Sequence, residues 1–173
     1  MAHRLRFDRN SKCATPHGHN EFVGVSLQPR AEARGIDWGA ANYAASFANL
    51  KSHWHAFVDD SLDHAFQLGA GDPLIAYFQQ HEPDLLPRLL VIDGDPTTEA
   101  VATALYLKLN AILDAHVPGF ECVRFEIEET PTNSVVLLPA DVAAAPNLGD
   151  WCRRADLSIN DLLPQDAWPE LAS

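Results

Sequence analysis

Cys13-Ala14-Thr15-Pro16-His17-Gly18-His19-Asn20 sets a thiol and two imidazoles within seven residues. Strand side chains alternate, so an extended backbone turns His17 and His19 to one face. Two imidazoles on one face can hold a metal ion, and His3, in Ala2-His3-Arg4-Leu5, is the candidate third ligand. Three neutral imidazoles with one position open are the donor set of catalytic zinc rather than of a closed structural site. Gly18 removes a side chain that would crowd the ion. A thiol close to such a cation loses its proton more readily and serves as base or nucleophile, which makes Cys13 a candidate catalytic group without its being a ligand. The plain alternative is a pair of exposed turn histidines. The partners found further along the chain decide between the two.

A length of 173 residues fits one domain with room for a real core. The formal net charge of −12 argues against nucleic acid or an anionic membrane as the primary partner. The positive charge is uneven, with Arg4, Arg6, Arg9 and Lys12 all near the proposed metal site. They form either a solvated loop or a local pocket for phosphate. Cys13, Cys122 and Cys152 are odd in number and widely spaced, and no stretch reads as a signal peptide. That combination predicts a reducing cytoplasm and no structural disulfide.

Periodicity sketches the elements. Residues 2–7 read as a short strand. Residues 19–27 read as another, with Val23, Val25 and Leu27 sharing the face of His19. Tyr43, Phe47, Leu50, Trp54 and Phe57 recur at helical spacing and predict an amphipathic helix over 42–60. His53 and His55, two apart on that helix, do not face each other and read as packing or surface residues. Asp63 and His64 are adjacent, and both would have to reach the Cys13 thiol to form a proton relay. A short helix follows over 73–81, with Leu74, Ile75 and Phe78 on its apolar side, then an apolar strand over 88–92. Asp95 followed by Pro96 predicts a helix start capped by Asp95. The helix extends to about Ala115, with Val101, Ala102, Leu105, Leu109, Ile112 and Leu113 buried. Thr97, Thr98 and Glu99 fall in its first turn, where they either serve as ordinary capping residues or hold polar ligand atoms. Val123, Phe125 and Ile127 alternate as the inner row of a strand, and Glu129 continues that row. Either the strand ends at Ile127 and Glu129 stands in water, or the carboxylate needs a partner, and a ring edge donating two parallel N–H groups would suit it. Residues 131–138 read as a last strand. The tail, with Trp151, Cys152, Arg153, Arg154 and Asp156, reads as a segment packed on the surface or in a subunit interface.

These pieces, in this order, resemble the 6-pyruvoyltetrahydropterin synthase family, which includes the 6-carboxytetrahydropterin synthases of queuosine biosynthesis. The carriers are Ala2-His3-Arg4-Leu5, the Cys13-x3-His17-Gly18-His19 motif, Phe47 to Lys51, Leu62-Asp63-His64, Pro96-Thr97-Thr98-Glu99 and Glu129-Thr130-Pro131. The resemblance implies Zn2+ on His3, His17 and His19 and a relay of Cys13, Asp63 and His64. It implies a pterin anchored on Glu129 with Thr97, Thr98 and Glu99 around it. The implied fold is α+β, a tunnelling fold (T-fold) in residues 1–138. It has an antiparallel four-stranded sheet with two long helices on one face, and subunits join into a β-barrel as trimers or hexamers. An insertion around 69–92 and a C-terminal extension over 139–173 lie outside that pattern. The implied activity is that of a cytoplasmic lyase on 7,8-dihydroneopterin triphosphate. The spacing from Cys13 to His17 resembles the carboxy branch; a pyruvoyl-type synthase, a dihydroneopterin aldolase-like enzyme and a silent zinc- or pterin-binding paralogue are the other readings. The segment after His64 runs Ala65-Phe66-Gln67-Leu68 where the family pattern has Leu-Asn, and Ser46 stands where many members have Asp.

Overall fold

The computed structural model describes residues 1–33 and 45–171. Its mixed α and β elements form two sheets and a helical layer. The first sheet joins β1 (Ala2–His3), β2 (His17–Gly18), β4 (Phe66–Gly69) and β5 (Leu89–Ile92) in the order β2-β1-β4-β5. β1 pairs antiparallel with β2 but parallel with β4, and β4 runs parallel to β5. The second sheet is antiparallel and joins β3 (Phe22–Pro29), β6 (Phe120–Thr130) and β7 (Asn133–Leu137). The expected antiparallel four-stranded sheet is therefore corrected to a mixed four-stranded sheet beside an antiparallel three-stranded one. The physical cause is a break in the extended run. Residues 19–21 leave the ladder, so His17 and Gly18 pair with β1 while the chain from Phe22 onward pairs with β6.

Helix α1 (Phe47–Phe57) is shorter than the predicted 42–60 stripe, and the positions around Tyr43 lie outside the described residues. Trp54 and Phe57 are buried as expected, but Phe47 is 76% exposed. A wider turn of π type over Val58–Leu62 then breaks the helical phase ahead of Asp63. Helix α2 (Pro73–His81) matches its predicted span, capped by Asp72, whose carboxylate accepts from the Leu74 N–H at 2.8 Å. Helix α3 (Thr98–His116) buries every residue of its predicted stripe. Its cap is Thr97, which accepts from the Ala100 N–H at 3.3 Å, rather than Asp95. The Asp95 carboxylate instead takes the backbone N–H groups of Arg6 and Phe7, at 2.9 and 2.5 Å, and so clips the N-terminal segment to the β5–α3 loop.

Two bulges reset the alternation along β6. Between Ser26 and Leu27 the register to β3 shifts, so Cys122 is fully buried and Val123, predicted inside, is only half-buried. The second bulge falls between Glu128 and Thr130, at Glu129 itself.

The tail is no surface segment. After the short helix α4 (Pro139–Val142), Trp151, Cys152 and Ile159 enter the main core beside α3. The tail also runs along β5: the Val91 N–H donates to the Ile159 carbonyl at 3.0 Å, the Asp93 N–H to the Leu148 carbonyl at 3.0 Å, and the Trp151 indole to the Val91 carbonyl at 2.8 Å. It thereby satisfies the open edge of the first sheet. Lys108, on the tail side of α3, is 0% exposed and ion-paired to Asp156 at 3.1 Å.

Candidate metal centre

His3 and His17 are direct cross-strand neighbours in the β1–β2 pair, and neighbours of that kind share a face. His19, two residues on, turns the same way. The ligand-capable nitrogens of the three rings all lie within 4.8 Å of one another, with His3 Nε2 and His17 Nε2 3.1 Å apart. Ring centroids stand 4.5 to 5.2 Å apart in edge-on arrangements. His17 Nδ1 donates to the Thr15 carbonyl at 2.8 Å, which fixes the tautomer and leaves the Nε2 lone pair turned toward His3 Nε2. His3 is buried; burial, then the neighbouring His17, hold its imidazole below the ordinary value despite the opposing pull of Glu129. Its ring also hydrogen-bonds the Pro96 carbonyl. Neutral, oriented imidazoles with converging lone pairs are what a divalent ion requires, so the donor set fits a metal.

The pterin-side residues of the sequence reading also come together. The Glu129 bulge turns its carboxylate to the start of α3, where the Thr98 hydroxyl donates to Oε1 at 2.7 Å. Glu129 is close enough to His3 to act on it electrostatically. Thr97 spends its hydroxyl on the helix cap, and Glu99 is exposed.

Cys13 is half-buried in a short 3₁₀ turn, Lys12–Ala14, tied to the first histidine segment by a bond from the Leu5 N–H to the Cys13 carbonyl at 2.7 Å. Asp63 and His64 form a pair at 2.9 Å, with side chains 66% and 89% exposed. His64 has φ of +63°, an uncommon conformation for a non-glycine residue. The pair lines a hollow of about 480 Å³ together with Gly18, His19 and Asn20. Among the described residues, no hydrogen bond or ion pair joins the Cys13 side chain to Asp63 or His64. His53 stacks on His116 at 4.1 Å and His55 is exposed; neither belongs to the histidine cluster.

Of the basic residues near the site, Arg4 makes a two-pronged pair with the buried Asp72 carboxylate, at 2.7 Å on both arms. Arg6 donates to the Gly71 carbonyl at 2.6 Å. Both are structural struts at the α2 start. Arg9 and Lys12 are exposed and form no ion pair among the described residues. Two site residues escaped the sequence reading: Glu21 and Gln67. The Gln67 amide donates to Glu21 Oε1 at 3.3 Å, and burial, joined by the nearby Glu129 carboxylate, pushes the Glu21 carboxyl up. The signal for Glu21 was its parity with His17 and His19.

Comparison with known proteins fits this geometry. The chain belongs to the 6-pyruvoyl tetrahydropterin synthase family, whose model matches residues 1–139. Members of that family are lyases acting on pterins. The chain is 29% identical over 131 residues to a Halobacterium salinarum protein named probable 6-carboxy-5,6,7,8-tetrahydropterin synthase, covering 75% of this chain and 74% of that one. An uncharacterized protein from Wolinella succinogenes has the same fold, with a TM-score of 0.59 at 22% identity, over 80% of this chain and 92% of that chain. The tail from residue 140 onward lies outside the family match.

Proposed function

We propose that this protein is a zinc-dependent lyase of the 6-carboxytetrahydropterin synthase type, acting on 7,8-dihydroneopterin triphosphate, as in queuosine and other 7-deazaguanine biosynthesis. The observation that carries the reading is the convergence of His3, His17 and His19 next to the Glu129–Thr98 pair. His3, His17 and His19 hold the zinc, which when bound supplies Lewis-acid stabilisation to oxygens of the substrate side chain. Glu129 receives the 2-amino and N3–H edge of the pterin as a charge-assisted pair, with Thr98 orienting its carboxylate. Thr97 and Glu99 stand around the ring at the start of α3.

Cys13, as thiolate, takes a carbon-bound proton of the substrate. His64, held by Asp63, returns one. Triphosphate leaves, and in the carboxy branch a water molecule adds as the carbon–carbon bond breaks, supplying the second carboxyl oxygen, and acetaldehyde is lost as well. With Arg4 and Arg6 committed to Asp72 and Gly71, Arg9 and Lys12 are the cations left to meet the triphosphate. The exposure of the Asp63–His64 pair supports a homo-oligomer, trimer or hexamer, with sites at subunit boundaries. No helix among the described residues is long and apolar enough to cross a membrane, and the reading places the enzyme in the cytoplasm.

The test is a product assay by mass spectrometry on zinc-loaded protein given 7,8-dihydroneopterin triphosphate. A 6-carboxytetrahydropterin product with acetaldehyde released supports the reading. A 6-pyruvoyl product moves the enzyme to the other branch, and unchanged substrate in zinc-loaded protein refutes lyase activity on this substrate.

A further inference from the structure

We infer that Glu21, steadied by Gln67, is a second carboxylate contact for the 2-amino group of the bound pterin and sets a preference for a 2-amino ring over a 2-oxo ring. The inference rests on the reading that Glu129 receives the pterin edge.

Glu21 lies two residues beyond His19, and its carboxylate accepts from the Gln67 amide at 3.3 Å. Gln67 is itself the cross-strand neighbour of His3 on β4, so it shares the face of the metal ligands. It is only 2% exposed, and the residues that follow it and pair with it, Leu68 and Leu90, are apolar and buried. A buried amide in such a place needs a polar partner, and Glu21 is that partner. Gln67 also sits where this segment departs from the family pattern. Phe22 pairs with Glu128 across β3 and β6, so Glu21 and Glu129 are the next residues beyond that rung, while Gln67 pairs with His3. The two carboxylates therefore stand side by side near the histidines, with the Met1 ammonium also close to Glu21.

Each of these carboxylates has one oxygen committed within the chain: Glu21 Oε1 to Gln67, Glu129 Oε1 to Thr98. The other oxygen of each accepts no hydrogen bond among the described residues. Neither is among the buried atoms lacking a partner, so both reach accessible space. Two like charges held close together favour a ligand that donates to both. A 2-amino-4-oxo pterin carries three N–H bonds along one edge. N3–H and the nearer amino hydrogen fill Glu129; the outer amino hydrogen is left for Glu21. A 2-oxo ring (a lumazine) would set a carbonyl oxygen against the Glu21 carboxylate and be repelled.

The experiment measures dissociation constants of neopterin and of its 2-oxo analogue on zinc-loaded wild type, Glu21→Ala and Glu21→Gln, with zinc content and far-UV circular dichroism confirming that each variant is folded and loaded. Wild type should prefer neopterin. Glu21→Ala should weaken neopterin about 10- to 100-fold, the range for a charged hydrogen bond, and leave the 2-oxo analogue unweakened. Glu21→Gln keeps an acceptor oxygen and should lose less. Equal losses for both rings, or an unchanged preference in Glu21→Ala, would overturn the inference while leaving the proposed function intact. A wild type that binds neither ring would overturn both.

Discussion

At the scale of single residues, the proposed function divides groups that would hold the metal from groups that would move protons. His19→Ala should lose bound metal, read as zinc content after gel filtration. Cys13→Ala should keep its zinc and lose turnover by about 100- to 10,000-fold, the usual worth of a positioned base; activity surviving that change would remove Cys13 from the mechanism. Thr98→Val removes the hydroxyl that orients Glu129 and should raise KM several-fold at nearly constant kcat, equivalent to about 1 kcal/mol for a lost hydrogen bond. The residues of the histidine cluster were legible because period-two alternation is a local rule: His-Gly-His needs only extended backbone to converge. Glu129 stands out in sequence as a carboxylate at the end of an apolar row, but the bulge there, not the alternation, turns it toward Thr98. Asp95 was misread. Its side chain meets Arg6 and Phe7, and no local rule gives a contact across so long a stretch of chain. The contacts of Arg4 with Asp72 and of Glu21 with Gln67 are invisible in sequence for the same reason.

At the scale of elements, the site depends on where strands stop. β4 and β5 are parallel, and the loops after them carry the caps of α2 and α3. The end of β4 touches the β5–α3 loop at Gly69, where an added Cβ would run into the Gly94 carbonyl oxygen. Gly69→Ala should therefore displace the β5–α3 loop, lowering the thermal midpoint and raising KM for the pterin together. An unchanged midpoint would show that the two backbones have room to part. Helices α2 and α3 could be read from their sequence because apolar stripes are local, although the cap of α3 proved to be Thr97. The two bulges in β6 could not, since a bulge is defined by its partner strand. That is why Val123 was assigned to the core in place of Cys122. Phe47 was assigned to a buried stripe because periodicity locates a face but not the extent of what covers it.

At the scale of the whole molecule, the tail is what the sequence concealed most. It lacks a clear period, yet it buries Trp151 completely and closes the edge of β5. Trp151→Ala should cost about 3–5 kcal/mol, the range for losing a large buried aromatic, and should be visible as a drop in denaturation midpoint. Lys108 links the tail to α3: burial pushes its ammonium down to about 8, against the pull of Asp156. Asp156, in turn, is held below its ordinary value; burial opposes this, but hydrogen bonds from Ser158 and the Lys108 charge prevail. Between about 8 and the ordinary lysine value of 10.5, the unfolded chain holds a proton that the folded chain has released, so the Lys108 contribution to stability grows as pH rises through that window. Below about 8 both states are charged, and the cost of burying the ammonium stands in full. Thermal midpoints followed from pH 7 to pH 10 should show this upward contribution in the wild type and not in Lys108→Met. Equal slopes in the two would place the titration elsewhere. The proposed function stands or falls on a zinc ion held by the histidine cluster and required for pterin chemistry. The most direct measurement follows turnover of 7,8-dihydroneopterin triphosphate through removal of metal by a chelator and restoration with zinc, with the zinc content of the same samples. One zinc per chain and activity should be lost together and return together; full turnover in metal-free protein would refute the metal requirement.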